Sequence, residues 1–263
     1  MLSRLTRPQA VAVCALPVVA LLATAAFAPL PFSLAQPGLT ANVLGKNQGT
    51  EVITISGVPT RDTSGQLRMT TIEATNPDAH VALGDIVDSW FRTDRAVMPR
   101  DSVYPSGQNT KEIERHNTAQ MKESQDAATE AALAYLDLDD KNVKVTLELA
   151  DVGGPSAGLL FTLGIIDKLD GDGSGGDLTG GRVIAGTGTI DTDGTVGAVG
   201  GVALKTQAAR RDGATVFLVP KAECSDAQSE LPEGLRLVPV TTLKNAVSSL
   251  VALEQGKGSV PGC

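Results

Sequence analysis

Residues 151–169 read DVGGPSAGLLFTLGIIDKL. Two glycines, a proline and a serine stand directly ahead of an apolar run with helical spacing, so the stretch predicts a turn that enters a buried helix. Ser156 falls at that helix start. A serine there ordinarily caps, its oxygen accepting from one of the N–H groups that a first turn leaves without a partner. The same place also suits a nucleophile, because free N–H groups and the positive end of the helix dipole can stabilise an oxyanion. The local sequence leaves both readings open.

A nucleophilic serine needs a base. The two histidines, His80 and His116, both precede the motif in polar surroundings, and a Ser-His-Asp triad would have to recruit one of them across the fold. A lysine is the other solution. In GGVALKTQAARRDGA, residues 200–214, Lys205 lies on a predicted helix that opens after two glycines, beside the Leu204 and Ala208 face. Lysine acts as a base near neutral pH only where burial lowers its pKa from about 10.4, and a drop of roughly 3 units disfavours the charge by about 4 kcal/mol. An Ala- and Gly-rich neighbourhood can supply that desolvation. The plain alternative is a solvated surface lysine.

Around these motifs the chain mixes strands and helices without a regular βαβ alternation, which predicts the α+β class. Residues 50–58 (TEVITISGV) and 66–74 (QLRMTTIEA) read as two strands of a hairpin joined by PTRDTSG. A short helix is expected near 79–92, then an irregular polar stretch at 98–110. A long helix is expected over 111–136, with Met121, Ser124, Ala128, Ala131 and Tyr135 on one face. KVTLEL at 144–149 alternates like a strand. Beyond the opening motif come a strand at 182–190, a turn at DTDG, a helix near 201–212, strands at 215–220 and 235–240 with a helix between them, and a last helix from about 242. No internal repeat is evident.

With 263 residues, 42% of them hydrophobic, the chain can build one sizeable core, and with only 3% aromatics that core rests on Ala, Val, Leu and Ile. A net charge of −8 without a Lys/Arg run gives no footprint for nucleic acid. The amino end differs from the rest. Arg4 and Arg7 precede an apolar stretch densest over Ala10–Ala28, nearly long enough at about 1.5 Å per residue to span a roughly 30 Å hydrocarbon layer. The two arginines would stay on the cytoplasmic side and send the body across. A cleaved signal peptide, with SLAQ at 33–36 as the cut region, is the competing reading, and both export the body. Gln36–Gly49 then reads as a Pro-, Gly- and Asn-containing tether.

Cys224 and Cys263 would lie on the exported side, where a disulfide is permitted; whether they pair stays open. No cysteine spacing resembles a zinc site. DGDGSGGDLTGG at 170–181 imitates the start of a calcium loop but places Gly181 where a bidentate Glu is required, so a solvated loop is expected and no metal. GAVGGVALKT has Leu204 where a phosphate loop needs glycine, and GTGTID lacks the third glycine of a dinucleotide fingerprint. A phosphotransferase holding phosphate on GGPSAG remains a rival, although an exported chain would rarely meet ATP.

Taken in order, GGPSAG with its apolar helix and then AGTGTIDTDGTVGAVGGVALKTQAARRDGATVFLVP resemble the proteolytic domain of the Lon family of serine proteases, particularly the membrane-anchored Lon-like proteins of bacteria. The resemblance is strong over about 143–248 and weaker back through LRMTTIEA, VYPSG and AQMKESQDAATEAAL. It implies the α+β Lon-type fold with mixed sheets and packed helices, preceded by one transmembrane or signal helix. It further implies Ser156 as nucleophile, Lys205 as its base and Thr187 as support for the lysine. Gly154, Pro155 and Ala157 would form the backbone around the oxyanion. Two departures stand out. The ATPase module of full Lon proteases is absent, and only about DLDDKN stands where membrane-anchored relatives carry a PDZ domain.

The expected organisation is a stub, membrane or signal segment and tether over 1–38, and a proteolytic domain over 39–255, with a hairpin and helices at 50–140 and the dyad-bearing core at 141–255. A tail follows at 256–263. The expected function is an ATP-independent serine endopeptidase acting on extracytoplasmic proteins or peptides. No cofactor is expected, no nucleic acid, and contact with the membrane only through the N-terminal helix. A homo-oligomer is one of the open states of assembly. A catalytically silent binding protein that keeps the fold is the alternative from another class.

Overall fold

The structure is a computed structural model and describes residues 6–104, 110–139, 141–149, 154–256 and 258–263. Part of the irregular stretch, residues 105–109, and the first three residues of the opening motif, 151–153, lie outside the described residues. The chain forms α1 (Arg7–Phe27), β1 (Phe32–Asn42), the two-residue β2 (Lys46–Asn47) and β3 (Thr50–Glu51), β4 (Ile53–Ser56) and β5 (Gln66–Ala74). Then come α2 (Leu83–Trp90), β6 (Ala96–Pro99), the single turn α3 (Arg100–Val103), α4 (Thr110–Tyr135) and β7 (Lys144–Leu147). A 3-10 turn at Pro155–Ala157 leads into α5 (Gly158–Leu169), β8 (Val183–Gly186), β9 (Thr189–Ile190), β10 (Val196–Gly197) and α6 (Val202–Arg211). The order ends with β11 (Val216–Pro220), α7 (Cys224–Ser229), β12 (Arg236–Val240) and α8 (Leu243–Gln255). The mixture is α+β, as expected.

Two compact units share these elements, one of residues 1–35 and 74–108, the other of residues 36–73 and 109–263. In the first, Phe32–Ala35 pairs antiparallel with Ala96–Pro99. The chain leaving α1 is fixed there by Leu30 N–H donating to the Val81 carbonyl and Arg100 N–H donating to that of Pro31. Within α1, Arg7–Thr24 is long and apolar enough to cross a membrane, with mean hydropathy 1.5 and none of it buried, a property that a signal sequence shares.

The second unit is built on a sheet in the order β12, β11, β8, β5 and then β1, with β12, β11, β8 and β5 mutually parallel. Side chains alternate across a strand. Val216 and Leu218 of β11 therefore join the core that holds Leu159, Leu163 and Leu250, while Phe217 and Val219 join the one under α6 and α7 with Val202 and Ala209. Both faces are covered, so β11 reads as an unbroken apolar run.

Three expectations are corrected. The tether does not form: β1 runs through Pro37 and Gly38, and at Gly38 any Cβ would collide with Thr71 on β5, so glycine permits the strands to approach. The hairpin is not one either. Ile53–Ser56 pairs antiparallel with Lys144–Leu147, whereas Gln66–Met69 pairs parallel with Val183–Gly186. Gln66–Met69 is thereby placed inside the large sheet, whereas Ile53–Ser56 and its partner form a separate two-stranded ribbon whose Ile53 is buried in the core with α5. The strand at 182–190 is interrupted at Thr187 and Gly188, the point where the candidate site is built.

α4 lies against α5, and the predicted face is buried at Met121, Ser124, Ala128 and Ala131, while Tyr135 at the end of the helix is exposed. The close approach has a visible cause. A Cβ at Gly158 would stand 2.9 Å from Ser124 Oγ and 3.2 Å from the Ile190 backbone nitrogen. At the other end of α5, Asp167 is fully buried; Oδ1 accepts from Leu178 N–H at 2.7 Å and Oδ2 has no hydrogen-bond partner among the described residues. Burial pushes this carboxyl up to about 6. Cys224 and Cys263 form a disulfide with Cα atoms 5.4 Å apart, tying the end of the chain to α7.

Two outcomes follow for stability. Because the folded form of Asp167 binds its proton more tightly than the unfolded chain, its contribution is complete below about pH 3.8 and is lost as pH rises through about 6. The stability difference between Asp167→Asn and wild type should shift in the variant's favour by on the order of 2–3 kcal/mol between pH 4 and 7.5, whatever its offset at low pH, in urea unfolding at the two pH values. Cys263→Ser opens a loop with a sequence separation of 39 and should cost about 4 kcal/mol, seen as a lower melting temperature that reductant no longer changes.

Candidate active site

The site lies in the second unit, where the start of α5 meets the end of β8 and the first turns of α6. Gly154 enters the motif with φ +89°, a conformation that glycine adopts without steric cost. Pro155 then fixes the first position of the 3-10 turn. α4 holds this turn from one side: Asn117 offers its carbonyl to Gly154 N–H at 3.2 Å, and Ser124 Oγ donates to the Pro155 carbonyl at 3.0 Å. Thr187 and Gly188 hold it from the other. Gly188 N–H donates to the Ser156 carbonyl at 3.0 Å, and Leu159 N–H returns a bond to the Gly188 carbonyl at 3.2 Å.

The Ser156 carbonyl accepts a second bond, from Thr187 Oγ1 at 3.3 Å. Thr187 is fully buried, and its hydroxyl oxygen in turn accepts from Lys205 Nζ at 3.1 Å. Ser156, Thr187 and Lys205, far apart in sequence, thus form one connected group. The Ser156 side chain does not cap the helix and its hydroxyl has no hydrogen-bond partner among the described residues. Ala157, after it, is buried in the core. Both histidines are exposed at the surface.

Lys205 is only 4% exposed, among the buried face of α6 that includes Val202, Leu204 and Ala208. Burial lowers its pKa from the ordinary lysine value to about 8, against the opposing pull of the Glu223 and Asp226 carboxylates. A lysine in this state is a far better proton acceptor near neutral pH than a solvated one.

Sequence reasoning missed the residues that aim α6. Its N-cap position is Gly201, left-handed at φ +69°, which has no side chain to satisfy the first N–H groups. Asp226 of α7 does so instead, its Oδ2 accepting from Val202 N–H at 2.9 Å and Ala203 N–H at 3.3 Å. The sequence signal was the capless glycine start itself, which requires an acceptor from elsewhere. Ser124 had been legible only as a small packing residue, yet it also anchors the serine turn.

The family model of the Lon protease (S16) C-terminal proteolytic domain matches residues 118–252, which include Ser156, Thr187 and Lys205. An archaeal Lon protease of Halobacterium salinarum is 26% identical over 175 residues, 62% of this chain and 24% of that protein. A Lon protease of Chloroflexus aggregans is 38% identical over 93 residues, 34% of this chain and 10% of that protein. The chain therefore spans a quarter or less of the length of these relatives. With the family match covering more than half of its residues, the chain belongs to the Lon protease (S16) family through its C-terminal proteolytic domain.

Proposed function

We propose that this chain is an ATP-independent serine endopeptidase that cleaves peptide bonds of extracytoplasmic proteins with a Ser156–Lys205 dyad. The observation that carries the reading is the buried Lys205, joined through Thr187 to the backbone of Ser156. The Thr187 hydroxyl spends its one proton on the Ser156 carbonyl, so toward Lys205 it can only accept. That bond orients a neutral amine and leaves its lone pair for the Ser156 hydroxyl.

In the reaction Lys205 takes the hydroxyl proton as Ser156 Oγ attacks the peptide carbonyl carbon. The tetrahedral oxyanion forms at the motif. Gly154 N–H is already committed to Asn117, Gly158 N–H to the Pro155 carbonyl, and Pro155 has none, so among the described residues of the motif the oxyanion is assigned to the N–H groups of Ser156 and Ala157. Lys205 then returns the proton to the leaving amine, the acyl-enzyme forms, and water repeats the sequence to release the acid. Substrates are unfolded segments, since the reading includes no ATP-driven unfolding.

We place the proteolytic domain at 39–255 and read α1 as a membrane anchor with the body outside the cytoplasm. Two observations support this placement: the exposed apolar helix behind Arg7, and the Cys224–Cys263 disulfide, a bond that persists in oxidising compartments.

Incubation of the full chain with casein tests the activity. Ser156→Ala and Lys205→Met should each lower cleavage by at least about 10³-fold, and equal cleavage by all three proteins would refute the dyad. Phosphate transfer or saturable nucleotide binding would favour the rival chemistry instead. Because only neutral Lys205 acts as base, kcat/KM should rise with pH through about 8. Asp226→Asn retains an oxygen for the Val202 and Ala203 N–H groups but removes a charge that raises the lysine pKa, so this limb should move to lower pH. Glu223→Gln should move it in the same direction without touching the cap. Asp226→Ala loses cap and charge together and should also lower kcat, by about tenfold at a loss of roughly 1.4 kcal/mol of positioning.

A further inference from the structure

α2 in the first unit has three faces rather than two. At about 100° per residue, Ile86 and Ser89 share the buried arc, Asp85 and Asp88 share a polar one, and Leu83, Val87, Trp90 and the adjoining Phe91 fill a third arc about 100° wide. That third arc is apolar and open: Leu83 is 44% exposed, Val87 40%, Trp90 75% and Phe91 86%. Four large apolar side chains contiguous on one short helix are more than the scattered exposure that needs no explanation.

The position of α2 within the unit indicates what covers this face. Its entry is bonded to the chain just beyond α1, through Leu30 N–H and the Val81 carbonyl at 2.8 Å. α1 and α2 are in contact, and after residues 11–24, which stand open, Ala26 and then Ala28 and Leu30, just beyond the helix, are partly covered; near the start of α1 Ala10 is partly covered too. α2 therefore packs at the end of α1 that leads into the body. If Arg7–Thr24 spans a bilayer, that end lies at the depth of the headgroups, where Trp side chains are enriched and amphipathic helices lie in the plane. The neighbouring arginines are neutralised within the unit, Arg92 by Asp94 and Arg95 by Asp88, so the face offers apolar burial rather than a basic patch for anionic lipid.

We infer that α2 is a second membrane contact, lying in the interfacial layer beside the anchor with Leu83, Val87, Trp90 and Phe91 inserted among the lipid chains. This inference rests on the anchoring read from α1. It would hold the start of β1 and its partner β6 close to the membrane surface, beyond what one spanning helix fixes.

Trp90 is the only tryptophan of the chain and reports on itself. The full chain is reconstituted into phosphatidylcholine vesicles, flotation measures anchoring, and Trp90 emission is recorded with lipids brominated either high on the acyl chain or near its end. The inference expects flotation, a blue-shifted emission and quenching of about half or more by the shallow bromines, with less by the deep ones. Flotation with a water-exposed, unquenched Trp90 overturns the inference and leaves the anchor standing. Flotation with a blue shift that grows with protein-to-lipid ratio but resists bromine quenching also overturns it, in favour of a second copy of the chain. Failure to float overturns both.

Discussion

The carbonyl oxygen of Ser156 accepts from Gly188 N–H and from the Thr187 hydroxyl, and on this shared acceptor the site depends. It joins the turn ahead of α5 to the end of β8. Thr187 N–H is itself held by the Leu218 carbonyl, so the junction is referenced to the parallel strands in the middle of the sheet. The same hydroxyl receives Lys205 from α6. A group of three residues from three elements is thereby positioned by one strand end, with a glycine, Gly188, at the place where the strand breaks.

The remaining parts of the second unit can be understood as supports for that junction. α4 presses on the serine turn through Asn117 and Ser124, and only glycine at 158 lets the helices come close enough for those bonds. α7 presses on the start of α6 through Asp226, and the disulfide to Cys263 fixes α7 in turn. Glu223 and Asp226, the second of which also secures the helix, raise the lysine pKa and oppose the burial that lowers it. A value of about 8 is the balance of the two, low enough for a neutral amine near neutral pH and for return of the proton to the leaving group, and high enough for the proposed base to take the serine proton.

Helices and buried strands were legible wherever local pattern and tertiary demand coincide. The apolar period of α5, the small-residue face of α4 and the continuous run of β11 each state their surroundings within a few residues. Ser156, Lys205 and Thr187 were legible as a set only through the order of motifs, because nothing local distinguishes a capping serine from an attacking one or a solvated lysine from a buried one. What failed was pairing over distance. Pro37 and Gly38 look like linker residues until β5 is known to lie beside them, and two adjacent strands look like a hairpin until β7 and β8 are available as partners. Asp226 belongs to the same class, since its role exists only where α7 meets α6.

The state of Lys205 can be read directly by titrating the Cε carbon signals of 13C-lysine-labelled protein, with the Lys205→Met variant assigning the signal. One lysine signal, absent from that variant, should titrate near pH 8, well below the ordinary lysine value of about 10.4. A Lys205 signal that titrates at the ordinary lysine value would contradict a buried base, and with it the proposed dyad.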